Sequence, residues 1–221
     1  MAGVFAILVA IGIAIGNGHS PPLLRPGRPV PDAMAVNTLF AGIPEAGTAL
    51  GEPQAPVTLV EFADLQCPDC AAFARDQLPA LVAHEVRPGR LRIVMALQSF
   101  IGSDSRRGAQ MALAVGEQGR LWPFADLFFA NQRGEDSGYV TDAFLTALAQ
   151  ALPGTDVPVA LAARDSVPVQ RAIAQASAQA KRSGVDSTPS FLLGRTGASL
   201  PVYGGDPASL RGAVDRLAGG A

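Results

Sequence analysis

Apolar positions along the chain fall into three patterns. From Met1 to Gly16 they run without a charged residue. Short apolar runs recur at Val57 to Phe62, Leu91 to Leu97 and Ser190 to Leu193, the first two with β-branched residues, and each predicts a buried strand. Between the second and third of these, from about Ser103 to Lys181, the chain is rich in Ala, Gln and Leu with helical spacing. There, helices are predicted at Ala109 to Val115, Trp122 to Ala130, Thr141 to Leu152 and Val159 to Ala180, punctuated by Gly119, Gly134, Gly138 and Pro153-Gly154. Another helix follows the first strand, with Phe73, Leu78, Leu81 and Val82 on its apolar face and a kink at Pro79. After the third strand, Leu200 to Tyr203 reads as the second arm of a hairpin and Pro207 to Leu217 as a last helix. The plan is strand–helix–strand, a helical insert, then strand–strand–helix, with no internal repeat: an α/β fold around a central mixed sheet.

The N-terminal run, residues 1–16, is shorter than the roughly 20 residues that span a bilayer comfortably. It fits an uncleaved signal-anchor or a cleaved signal peptide, with small residues at Ala14-Ile15-Gly16. No Lys or Arg precedes it, and Arg25 and Arg28 follow it, which is the wrong side for the positive-inside rule if the rest is exported. Residues 17–50 carry Pro21, Pro22, Pro26, Pro29, Pro31 and Pro44 among several glycines. They read as an extended, solvated linker that holds a folded body away from a membrane. The body then divides into a first half-domain at 51–101, a helical insertion at 102–181 and a second half-domain at 182–221.

Composition narrows the function. The 221 residues are 48% hydrophobic and carry a net charge of −2. This gives one domain with a substantial core, and it lacks the basic balance of a nucleic-acid binder. The 24 glycines and 18 prolines stay below the low-complexity range. Two cysteines exclude a disulfide-stapled miniprotein. There is no Gly-rich phosphate loop, so neither a nucleotide nor a flavin is indicated.

Those two cysteines are Cys67 and Cys70, placed between the first strand and its helix as Cys67-Pro68-Asp69-Cys70. A sulfur at a helix N-terminus meets unpaired N–H groups and the positive dipole end, which favour the thiolate. A second thiol three residues on can close a disulfide and release a partner. Cys67 is therefore assigned as nucleophile and Cys70 as resolving thiol. Zinc needs about four ligands, and His19 and His84 stand apart, so no metal is expected. A purely structural disulfide remains an alternative, although so short a loop constrains little of the unfolded chain. Trp122, Phe124, Phe128 and Phe129 form a helical stripe that reads as core rather than as a substrate groove. Asp64 reads as a turn residue.

Three stretches, in order, resemble the DsbA-like thiol:disulfide oxidoreductases. They are Gly51 to Phe62 running into Cys67-Pro68-Asp69-Cys70, Gly119-Arg120-Leu121-Trp122-Pro123-Phe124 continuing to Leu127 through Gln132, and Gly184 to Phe191. The resemblance covers about Ala49 to Leu217. It implies a thioredoxin fold interrupted by a helical domain, with no bound cofactor. Thr188-Pro189 matches the family's cis-proline loop, which faces the cysteines and pairs with an extended substrate peptide. Glu61 matches the buried acid beneath the cysteine pair, a proton acceptor for Cys70. Alternation leaves Glu61 open, because Val60 and Phe62 are both apolar, and a solvent-facing strand edge is the other reading. Strongly oxidising relatives often have His where Asp69 stands. A carboxylate there disfavours thiolate, so a less depressed Cys67 and a less oxidising couple are expected.

The function implied is an extracytoplasmic, membrane-tethered oxidoreductase that passes the Cys67–Cys70 disulfide to exported proteins and is reoxidised by a membrane quinone-linked partner. A reductase or isomerase of the same fold, and a non-catalytic binding module with a structural disulfide, are the alternatives.

Overall fold

The computed structural model describes residues 23–219. The segment expected as a signal-anchor or signal peptide (1–16) and the first residues of the expected linker lie outside them. Among the described residues no helix is long and apolar enough to cross a membrane.

Strand β3 (Val57–Asp64) is the centre of the sheet, and every one of its residues is buried. It pairs in parallel with β4 (Leu91–Gln98), Val57 opposite Leu91 and Asp64 opposite Gln98. On its other side it pairs antiparallel with β5 (Ser190–Arg195). Two layers of helix cover this sheet. Val57, Leu59 and Ala63 face the main core, and Val60 and Phe62 face a smaller one against Ala176 and Ala180 of α8 (Val167–Ser183). Burial on both faces is why the strand shows no polar alternation. Period 2 puts Glu61 on the same face as Leu59 and Ala63, toward the main core that contains Cys67 and Cys70.

The helix after β3 is interrupted as its proline requires. α2 (Pro68–Asp76) ends at Gln77, and α3 (Leu78–Leu81) carries Pro79 in its first turn and runs into a π-turn at Val82–Val86. Between β4 and β5 lie α4 (Ser103–Gly116), α5 (Leu121–Ala130), α6 (Asp142–Gln150), α7 (Val157–Ala163) and α8. The single helix expected over Val159 to Ala180 is two, because Ser166 caps a new start with Pro168 in its first turn. The aromatic stripe of α5 is core: Trp122, Phe124 and Phe128 are wholly buried, and Phe128 meets Phe144 edge to face at 5.3 Å.

Two further expectations need correction. The linker over 17–50 is not extended after Asp32. Residues Ala33–Phe40 form α1, and β1 (Glu45–Ala46) and β2 (Ala49–Leu50) make a hairpin that joins the sheet beside β4 in the order β1-β2-β4-β3-β5. Buried Val36, Phe40 and Leu50 supply the apolar contacts that fold this stretch. Gly51 is required where the hairpin leaves the sheet: φ is +99° and a Cβ would lie 2.8 Å from the Leu91 carbonyl oxygen. The second correction concerns Leu200 to Tyr203, which makes only a bridge at Val202 with Leu192. Pro201 brings no N–H to a ladder, although its carbonyl accepts the Leu193 N–H at 3.1 Å. The last helix, α9 (Leu210–Gly219), is preceded by a 3₁₀ turn at Pro207–Ser209.

Candidate active site

Cys67 is the N-cap of α2, with Pro68 at the first helical position and the Asp69 side chain exposed. Its sulfur accepts the Cys70 N–H at 3.4 Å and donates to the Thr188 carbonyl at 3.2 Å. Both cysteines are free thiols here. The Cys70 thiol hydrogen bond does most to hold Cys67 low, at about 6. Burial opposes it, and the Thr188 side chain and the backbone N–H groups of Cys70 and Asp69 add to it. Asp69 thus favours the thiolate through its main chain. Cys70 is pushed far the other way by burial first, then by the proton it shares with Cys67 and by the charges of Cys67 and Glu61. One sulfur is held toward its thiolate and the other stays protonated.

Thr188-Pro189 is a cis peptide bond, as the resemblance implied. The loop is delivered by the turn out of α8, where Gly184 adopts the left-handed conformation (φ 68°) and the Val185 N–H returns to the Ala180 carbonyl. Phe191, just beyond the loop, packs against Phe73 of α2 with ring centroids 4.8 Å apart and the planes tilted by 51°. That contact ties the cysteine helix to the proline loop.

Glu61 lies opposite Met95 and Phe191 in the sheet and is 1% exposed. It is not a solvent-facing edge residue. Burial, then the charge of Asp126, lift its carboxyl to about 8, and its Oε2 has no hydrogen-bond partner.

Sequence reasoning missed the residues that hold the cysteine loop. Asp64 opens the turn as expected, its carbonyl accepting the Cys67 N–H at 3.0 Å, but it is also fully buried. Its carboxylate accepts the N–H groups of Gln66 (2.9 Å), Phe100 (2.7 Å) and Ile101 (3.3 Å). Gln66 donates to the Tyr139 hydroxyl at 2.7 Å and accepts the Asp136 N–H at 3.0 Å. Gln132 donates to the carbonyls of Leu65 (2.8 Å) and Cys67 (3.1 Å). The signal was there: polar side chains at the end of an apolar strand must find partners when buried.

The chain matches the family model described as Thioredoxin over residues 44–202. It is 29% identical over 148 residues to the probable disulfide bond formation protein D of Bacillus cereus, covering 66% of this chain and 68% of that one. Oxidised BdbD from Bacillus subtilis superposes with a TM-score of 0.69 at 22% identity, over 79% of this chain and 94% of that structure. A thioredoxin-like oxidoreductase from Silicibacter pomeroyi gives a TM-score of 0.62 at 27% identity, over 86% and 99%. With a dithiol at a helix start, a facing cis-proline and a helical insert between β4 and β5, the chain belongs to the thioredoxin family, as a DsbA-like thiol:disulfide oxidoreductase.

Proposed function

We propose that the chain donates its Cys67–Cys70 disulfide to reduced cysteines of exported proteins. A substrate thiolate attacks the Cys67 sulfur, and Cys70 leaves as a thiolate and takes a proton from Glu61. A second substrate thiolate then attacks the substrate sulfur of the mixed disulfide, and Cys67 departs as a thiolate. The substrate gains a disulfide and loses two electrons, which the enzyme keeps as its dithiol. Thr188 and Pro189 hold the substrate chain beside Cys67. The Pro68-Asp69 dipeptide tunes the helix start at which the thiolate sits.

The observation that carries the direction of flow is the depressed Cys67 thiol. A nucleophile held at about 6 stabilises the reduced form, and a couple with a stabilised reduced form is oxidising. The apolar residues 1–16 support work outside the cytoplasm with the chain exported or tethered to a membrane. The resemblance supports reoxidation by a membrane quinone-linked partner.

The reduction potential, measured against glutathione buffers, tests this. A value of about −120 to −180 mV is expected, and about −270 mV would assign the chain to the reductases. A pair that native conditions cannot reduce would leave only a structural disulfide.

A further inference from the structure

Glu61 has no direct outlet. Its carboxyl is buried with an unpartnered oxygen, yet a proton must reach or leave it in every cycle in which Cys70 changes state. Asp126 on α5 acts on Glu61 through its charge. Its own side chain lines a cavity of about 360 Å³ between α1, α2 and α5. Ala71 and Ala74, beside and one turn beyond Cys70, form the α2 wall, and exposed Asp32 and Arg75 stand at its surface side. We propose that Asp126 is the outer acid of a two-carboxylate relay, exchanging the Cys70 proton between Glu61 and water in this cavity.

The inference rests on Glu61 serving Cys70 as described above. The charged groups around Asp126 are Glu61 from β3, Asp32 from the start of α1 and Arg75 from α2. Arg75 is engaged with Asp76 through two hydrogen bonds of 2.9 and 2.8 Å, so two acids dominate the surroundings. Burial and then the Asp32 charge lift Asp126 to about 7, next to the value of about 8 for Glu61. Neighbouring values let a proton pass either way near neutrality. Small alanine side chains on the α2 wall leave room for water.

During reoxidation, Cys67 is joined to the partner in a mixed disulfide. The Cys70 thiol gives its proton to the Glu61 carboxylate and attacks the Cys67 sulfur, and the partner sulfur leaves with the bonding electrons. Glu61 passes the proton to the Asp126 carboxylate, which releases it to water. Donation runs the same path inward, refilling the Cys70 thiolate. Asp126 touches neither sulfur and acts through Glu61, as a positioning residue.

The test mixes the reduced full chain with saturating oxidised glutathione in stopped flow across pH and follows the step in which Cys70 expels glutathione from the Cys67 mixed disulfide. Asp126→Ala and Asp126→Asn should each lower the limiting rate at least about tenfold, with added formate restoring it in the alanine variant. The pH profile of Cys67 alkylation should stay in place. If the variants only move the midpoint and keep the limiting rate, or if formate restores nothing, the relay is overturned and Asp126 acts as a fixed charge. Glu61→Gln resolving at the wild-type rate would instead remove the reading beneath it. Should neither Asp126 variant fold, infrared difference spectra of wild-type protein labelled with ¹³C-carboxyl Asp decide. A protonated Asp band that changes on disulfide reduction supports the relay, and its absence overturns it.

Discussion

The Thr188 carbonyl oxygen lies 3.2 Å from the Cys67 sulfur, across 121 positions of sequence. The Thr188 side chain also helps hold Cys67 low, so one residue serves the sulfur through both its main chain and its side chain. Thr188→Val keeps the shape and removes the hydroxyl. The thiolate midpoint, read by absorbance at 240 nm, should rise from about 6 by up to about one pH unit, or about 1.4 kcal/mol. No change would place the hydroxyl outside the thiolate's shell.

Cys70 is the largest contributor to the low Cys67 value and the only other sulfur within reach to resolve a mixed disulfide. Cys70→Ala should raise the Cys67 midpoint and accumulate Cys67-linked mixed disulfides on non-reducing gels. Cys67→Ala should abolish turnover and leave the thermal midpoint within a few degrees. Retained function in Cys67→Ala would mean that the pair only locks the fold.

Burial holds the Glu61 carboxyl at about 8, against its ordinary 4.5. Between those values the native state keeps a proton that the unfolded chain has lost. This contribution to stability is therefore full below about pH 4.5 and falls as pH rises through about 8. Glu61→Gln removes the loss. In oxidised protein, where the cysteines do not titrate, urea unfolding should show a gain on the order of 2–4 kcal/mol at pH 9 and little at pH 5. Cys67 has the opposite sign in the reduced protein: its contribution is full above about pH 9 and is lost as pH falls through about 6.

The exposed Asp69 carboxylate sits in the first turn of α2, one position before Cys70. Asp69→His replaces a charge unfavourable to thiolate with a neutral or favourable one. The disulfide should become easier to reduce, by at most about 30 mV given the solvent screening at this position. A potential that stays put or falls would show that the dipeptide acts by another route.

The three long strands and the cysteine helix were legible because short apolar runs and a C-x-x-C at a strand–helix junction leave few alternatives. The face taken by Glu61 was not legible, because both faces of β3 are covered and alternation vanishes. The α1–hairpin segment was hidden by its prolines and glycines, although Val36, Phe40 and Leu50 carried the apolar signal that folds it. Leu200 to Tyr203 showed the reverse error: apolar residues suggested a strand, but Pro201 limits the ladder to one bridge. The second role of Asp64 was not legible, because the Phe100 and Ile101 N–H groups reach its carboxylate from a loop 36 and 37 positions away and leave no local pattern.

The hairpin before β3 is bolted down at one carbonyl. Thr48 oxygen accepts the Met95 N–H at 2.9 Å and the Trp122 indole N–H at 3.1 Å, and the Glu45 carboxylate accepts the Trp122 N–H at 3.1 Å. A protein trimmed to begin at Gly51 would therefore lose the shield over one side of β4 and leave the indole donor of a buried tryptophan without an acceptor. Bare strand edges invite pairing with another copy. Such a trimmed form should self-associate, while one beginning at Leu23 should not.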